Sequence, residues 1–254
     1  MTILEHIKKE FNDMKGKPPK EFLAYFWEYY KWPILSVLLV IVLCVQGVIG
    51  LLNRKDIVFS GLMLNAKLGV NDEVFLQDFY ELTGIDPETE EAGFYTDIVL
   101  TEDPSDRNRD AFQRIMAGIS VKDTDFIIGP PQAFRYCAYN SNNIFRDLRT
   151  FLDEDLLATY EDRIYYIDMA IIDMLNAPVG QHINTNNIVY PDPLKPEKME
   201  KPVPIAIAVT DCEHLQYAYY LNKPVLYLGM ISNTTRQELV IQLFDYLLPE
   251  KEEQ

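Results

Sequence analysis

Cysteine, histidine and basic residues are few in this chain of 254 residues. Of its three cysteines, Cys44 lies inside a long apolar run, which leaves Cys137 and Cys212. Two cysteines cannot build a disulfide-framed fold, and neither sits in a C-x-x-C or zinc-type spacing. They could pair with each other; the expectation is two buried free thiols. Of the three histidines, His182 and His214 follow the apolar run, and neither has a second His or Cys at zinc-ligand spacing. His214 stands two residues after Cys212, but a Cys–His dyad is defined in space, not by spacing. G-x-S-x-G, the P-loop and G-x-G-x-x-G are all missing. These absences argue against an enzyme and give no catalytic residue, no metal site and no cofactor.

Basic residues are also few. Six of the 23 Lys and Arg and five of the 39 Asp and Glu precede residue 53, which leaves 17 against 34 beyond it. A field of that sign repels nucleic acid and polyphosphates, so no nucleic-acid partner is expected. It suits a domain kept soluble outside a cell.

What the chain does have is an uncharged run of twenty residues, 33–52. As a helix it is about 30 Å long, the thickness of a bilayer's hydrocarbon core. A buried core helix is rarely this long without a charge. A cleaved signal peptide ordinarily has a shorter start than residues 1–32 and an A-x-A-like site after the run. The expectation is a single-pass membrane helix and signal anchor in contact with the lipid bilayer. Lys8, Lys9, Lys15, Lys17, Lys20 and Lys31 precede it, against Arg54 and Lys55 just after. The positive-inside rule puts the amino end in the cytoplasm and the rest outside the cell. Tyr25, Phe26, Trp27, Tyr29, Tyr30 and Trp32 make an aromatic belt at the inner edge. Three segments result: a cytoplasmic amphipathic and juxtamembrane segment (1–32), the membrane helix (33–52) and an extracellular domain (53–254). A helix break is expected at Gly16-Lys17-Pro18-Pro19, with a second helix that starts near Lys20 and runs towards the membrane, Pro33 lying near the boundary.

The extracellular part alternates strands and helices. Apolar runs predict strands at 56–65, 94–100, 125–129, 163–168, 205–210 and 225–228. Helical spacing predicts helices ending near Leu82, with Phe79 and Leu82 on one face, and over 105–119, 131–139, 212–221 and 234–248. Residues 169–175 are ambiguous. Asp153-Glu154-Asp155 favours a helix start through the helix dipole. Asn233-Thr234-Thr235 matches a glycosylation sequon, but capping of the last helix explains it more simply. The prolines at 191, 193, 196, 202 and 204 mark a stiff connection. The alternation implies an α/β domain with a mainly parallel sheet.

Within this pattern, Ile115-Met116-Ala117-Gly118 ends a helix that leads into the strand Asp125-Phe126-Ile127-Ile128. Phe145, Asp147, Leu148, Leu152 and Leu156-Leu157 follow, and residues 226–248 close the chain with a strand, Ser232 and a helix. This order resembles the first lobe of the type 2 extracellular solute-binding proteins. The aromatic stretch YFWEYYKW before the spanning helix is similar to that of uncharacterised membrane-anchored proteins of Gram-positive bacteria. The resemblance implies a periplasmic-binding-protein-like domain with a small or reduced second lobe, because the chain is short for two full lobes. It also implies a binding function. One expectation is a small solute bound in a transport-linked role. Another is a structural or regulatory subunit that binds a membrane protein partner and has no ligand pocket. A surface enzyme is a third. In open α/β sheets ligands lie outside the carboxyl ends of the strands. That rule selects Asn65, Thr101, Gly129, Pro130, Thr210 and Asp211. Gly129 lets a backbone approach closely, and the helix after it offers free N–H groups.

Overall fold

The computed structural model describes residues 18–67, 73–101, 106–141, 143–176, 188–209 and 225–248, with positions 212, 215, 218 and 219. His182 and His214 lie outside the described residues, as does most of the helix expected over 212–221. The chain divides into two units, Met1–Arg54 and Lys55–Gln254.

The described part of the first unit is one helix, α1 (Pro19–Leu52). It starts at Pro19, whose fixed φ suits the first helical position, where no N–H bond is lost. One helix runs from Pro19 through Pro33 to Leu52. Its stretch Tyr30–Leu52 is 23 residues long, about 35 Å of helix, and its apolar side chains are exposed. This helix is long and apolar enough to cross a membrane.

The second unit is α/β. Its strands are β1 (Asp56–Met63), β2 (Glu90–Tyr95), β3 (Phe126–Gly129), β4 (Ile164–Asp168), β5 (Pro202–Ala208) and β6 (Tyr227–Met230), in the order β2-β1-β3-β6-β5-β4. Its helices are α2 (Glu73–Thr83), α3 (Asp106–Ser120), α4 (Pro131–Asn140), α5 (Glu154–Thr159), α6 (Met169–Leu175) and α7 (Gln237–Leu247). β1 pairs in parallel with β2 and β3, while the β3–β6, β6–β5 and β5–β4 pairings are antiparallel. The sheet is therefore mixed where a mainly parallel one was expected. Strand–helix alternation implies parallel neighbours only where the helix is a direct crossover. Between β4 and β5 come α6 and a long proline-rich stretch, and β5 returns beside β4 running the other way.

Alternation of side chains along the strands divides the core in two. Phe59, Met63, Phe126, Ile128, Leu228 and Met230 point to one face, where Phe79 of α2 and Val240, Leu243, Phe244 and Leu247 of α7 cover them. Leu62, Ile127, Tyr227 and Ile231 point to the other, beneath Ile115 and Ile119 of α3 and Phe134 and Cys137 of α4. This period of two is what a sheet buried on both faces requires. Among the described residues there is one sheet with helices on both faces and no second lobe.

The two faces also settle the cysteines. Cys137 belongs to one core and Cys212 to the other, so the sheet separates them, and both are free and buried. Burial pushes the Cys137 thiol up to about 12, which keeps it protonated and unreactive.

Several local expectations shift. The second strand covers Glu90–Tyr95 rather than 94–100. Ile98 and Leu100 are buried beyond its end, in the α3 and α4 core. Leu82 is exposed although Phe79 is fully buried. Pro202 and Pro204 belong to β5 rather than to the connection. Pro202 is the first residue of that strand, and Pro204 pairs with Tyr166 next to a register shift. Both are places where a strand tolerates a missing N–H. Asn233 and Thr234 do not cap α7, whose N-cap is Arg236. The Asn233 amide instead donates to Ile119 O at 2.7 Å.

Candidate functional site

Asn65 follows β1 with φ 58°, a left-handed conformation that asparagine tolerates. Its amide closes on the backbone of Leu100: Nδ2 donates to the carbonyl at 2.8 Å and Oδ1 accepts the N–H at 2.7 Å. Its own N–H donates to Ile98 O at 3.0 Å. Asn108, fully buried on α3, treats Thr101 in the same way. Its Nδ2 donates to Thr101 O at 2.7 Å, and its Oδ1 accepts the Thr101 N–H at 2.9 Å and hydroxyl at 3.2 Å. Two amides thus take the place of a strand edge for residues 98–101, whose buried backbone groups need partners.

Gly129 ends β3 in the core. A Cβ there would meet Leu64 Cβ at 3.1 Å, so the backbone that approaches it closely is filled by the chain's own leucine. Leu64 is held there by its N–H, which donates to Ile128 O at 2.7 Å. Pro130 is the N-cap of α4, and its carbonyl accepts the Phe134 N–H at 2.9 Å. Thr210 and Asp211 lie outside the described residues. The structure brings Asn65 and Thr101 together on the 98–101 segment, and each of the four described residues has an internal packing or hydrogen-bonding task. Asn108 escaped the sequence reading. Its only signal is an amide near the start of a helix.

A charged node lies just before β3. Asp125 is fully buried, and its Oδ2 accepts the Ser60 N–H at 2.8 Å and lies 3.1 Å from Arg236 Nη1. Its Oδ1 accepts the Thr234 hydroxyl at 2.5 Å. The main chain doubles the link: Asp125 N–H donates to Ser60 O at 2.7 Å, and Ile231 N–H donates to Asp125 O at 2.8 Å. One carboxylate therefore ties β1, the β3 start and the approach to α7 together. A second carboxylate, Asp168 at the end of β4, accepts the N–H groups of Glu200 and Lys201 at 2.9 Å and of Ala170 at 3.0 Å. Burial alone would raise its pKa, but these three donors outweigh it and hold the carboxyl below its ordinary value.

Beside the Asp125 node, a cleft of about 360 Å³ opens on the β1 face that carries Ser60 and Leu62. Tyr95, Asp97, Arg114 and Asp123 also line it, and Gly118 and Thr124 adjoin each other there. A Cβ on Gly118 would lie 2.8 Å from Thr124 Oγ1, so a larger residue there forces that side chain to shift. Arg114 pairs with Asp97, both well exposed. Burial, and then the carboxylates of Glu91, Asp123 and Asp97, push the Tyr95 phenol above its ordinary value, so it remains a neutral donor. None of Asn65, Thr101, Gly129 or Pro130 lines this cleft. A second, apolar cleft of about 480 Å³ is lined by Leu76, Tyr80, Ile85 and Pro87. Among the described residues no group of three His, Cys, Asp or Glu side chains is placed to hold a metal. No family model matches the chain, and no curated protein or solved structure matches it.

Proposed function

We propose that this chain is a membrane-anchored, non-enzymatic binding protein. Residues 33–52 cross the cell membrane, and the α/β unit stands outside as a reduced, one-sheet form of a type 2 solute-binding domain. It takes up a small polar solute in a transport-linked role. The fold reading rests on the residue order of the resemblance, with Ile115–Gly118 in α3, which leads into β3, and with Phe145, Leu148 and Leu152 buried after it. The observation that carries the binding reading is the cleft beside Ser60, where polar groups converge on a volume fit for a small molecule. It replaces the strand ends as the preferred site, because the amides of Asn65 and Asn108 and the space at Gly129 are taken by the chain itself.

That same occupancy of the strand ends favours a second reading, in which the domain is a subunit of a membrane complex and the apolar cleft beside α2 meets a protein partner. A thermal-shift screen of the purified full-length protein against amino acids, amines, carboxylates, sugars and short peptides separates the two. The solute reading expects at least one class to raise the melting temperature, and a bulky Asp97→Trp substitution, at an exposed residue of the cleft lining, to abolish that rise. If no compound moves the melting temperature, the complex-subunit reading takes its place.

A further inference from the structure

The cleft beside Ser60 has a sign and a floor, and together they define a ligand class. Its charged lining is Asp97, Arg114 and Asp123. Arg114 is already paired with Asp97, whereas the Asp123 carboxylate has no ion-pair or hydrogen-bond partner among the described residues. One negative charge is left over in a chain whose net charge is −16. Such a field concentrates cations and repels anions. Thr124 is only 4% exposed, and its hydroxyl, set against Gly118, makes no hydrogen bond among the described residues. The residue lines the cleft, and its unpartnered hydroxyl oxygen is open to a ligand there. Around these polar groups Leu62 and Ile98 supply apolar wall, and Tyr95 offers an aromatic ring that can accept a cation on its face.

Resting on the solute-binding reading above, we propose that the cleft binds a primary organic ammonium ion of about amino-acid size. The ammonium group donates to the Asp123 carboxylate and to Thr124 Oγ1, and the apolar body lies between Leu62, Ile98 and the Tyr95 ring. The other groups that approach the floor are already engaged: Ser60 donates its hydroxyl to Asp123 O, and Asp125 is enclosed by Ser60, Thr234 and Arg236. Specificity therefore rests on one carboxylate and one hydroxyl.

The test uses full-length protein in detergent and three probes of one shape: phenethylammonium, neutral 2-phenylethanol and anionic 3-phenylpropanoate. Titration calorimetry should detect phenethylammonium and neither of the other two. Asp123→Asn and the isosteric Thr124→Val should each weaken it tenfold or more while the melting temperature of the free protein stays within a few degrees. Asp123 is exposed, so its variant keeps the test valid even if Thr124→Val fails to fold. Equal binding of the alcohol, or unchanged ammonium binding in Asp123→Asn, overturns the ammonium assignment. If 3-phenylpropanoate binds instead and Thr124→Val loses it, the cleft is a solute site and only the ligand class is wrong. If no probe binds and the wider screen is also silent, the solute-binding reading fails with it.

Discussion

Asp125→Ala should destabilise the α/β unit by about 3–5 kcal/mol, the usual loss when one partner of a buried charge pair is removed. The carboxylate is fully buried and receives a backbone N–H, a hydroxyl and a guanidinium. Removing it leaves the Ser60 N–H and the Thr234 hydroxyl without an acceptor in the core, and Arg236 without its counter-charge. Arg236 is about a quarter exposed, so Arg236→Ala costs less than Asp125→Ala: water can reach part of the site. The double variant should be less damaging than the sum of the two, because the same interaction is removed twice. Denaturant unfolding of the full-length protein, followed by circular dichroism, reads all three values. A loss below about 1 kcal/mol for Asp125→Ala, the scale of an exposed pair, would contradict the assigned role of the node.

Gly61→Ala should be nearly as severe, at about 1–3 kcal/mol or more, through overpacking. Gly61 is on β1 opposite Phe126 of β3, and a Cβ would fall against the Phe126 ring. That ring cannot step aside. It stacks on Phe59 with centroids 5.1 Å apart and meets Phe94 at 5.3 Å, while Phe59 in turn stacks on Phe79 at 5.3 Å. The glycine is therefore a consequence of the aromatic cluster next to it, and no φ constraint is involved. Adding Phe126→Leu to Gly61→Ala should recover part of the loss, because a smaller, more adaptable side chain frees the space. If Gly61→Ala alone unfolds at the same denaturant concentration as the parent, the close packing is not a constraint on this sheet.

Much of this architecture is legible in the residues. The uncharged run appears within one long helix, and strong periodicity marks α3 with Ile115 and Ile119 buried, as well as the apolar strands β1, β3 and β4. The misplaced pieces share a cause. Ile98 and Leu100 look like a strand because they are apolar and alternate, but their backbone is held by the amides of Asn65 and Asn108, contacts 35 and 7 residues away in sequence. Pro202 and Pro204 look like a linker because prolines break ladders, yet a strand start and a register shift both accommodate them. The preference for the cleft over the strand ends has a similar reason. Asn65, Thr101 and Gly129 have the right residue types for a ligand at the strand ends, and those same types serve turns and close packing. The cleft beside Ser60 is assembled from β1, α3 and the segments after β2 and before β3, and no local spacing in the sequence announces it.

The proposed orientation, with α1 in the membrane and the α/β unit outside the cell, has a direct test. Intact cells carrying the protein with one tag at the amino end and one at the carboxyl end should be treated with an impermeant protease. The expected result is loss of the carboxyl-terminal tag and survival of a protected fragment that ends shortly after residue 55 and keeps the amino-terminal tag. Protection of the carboxyl-terminal tag in intact cells, with digestion only after lysis, would contradict it and put the α/β unit on the inner side.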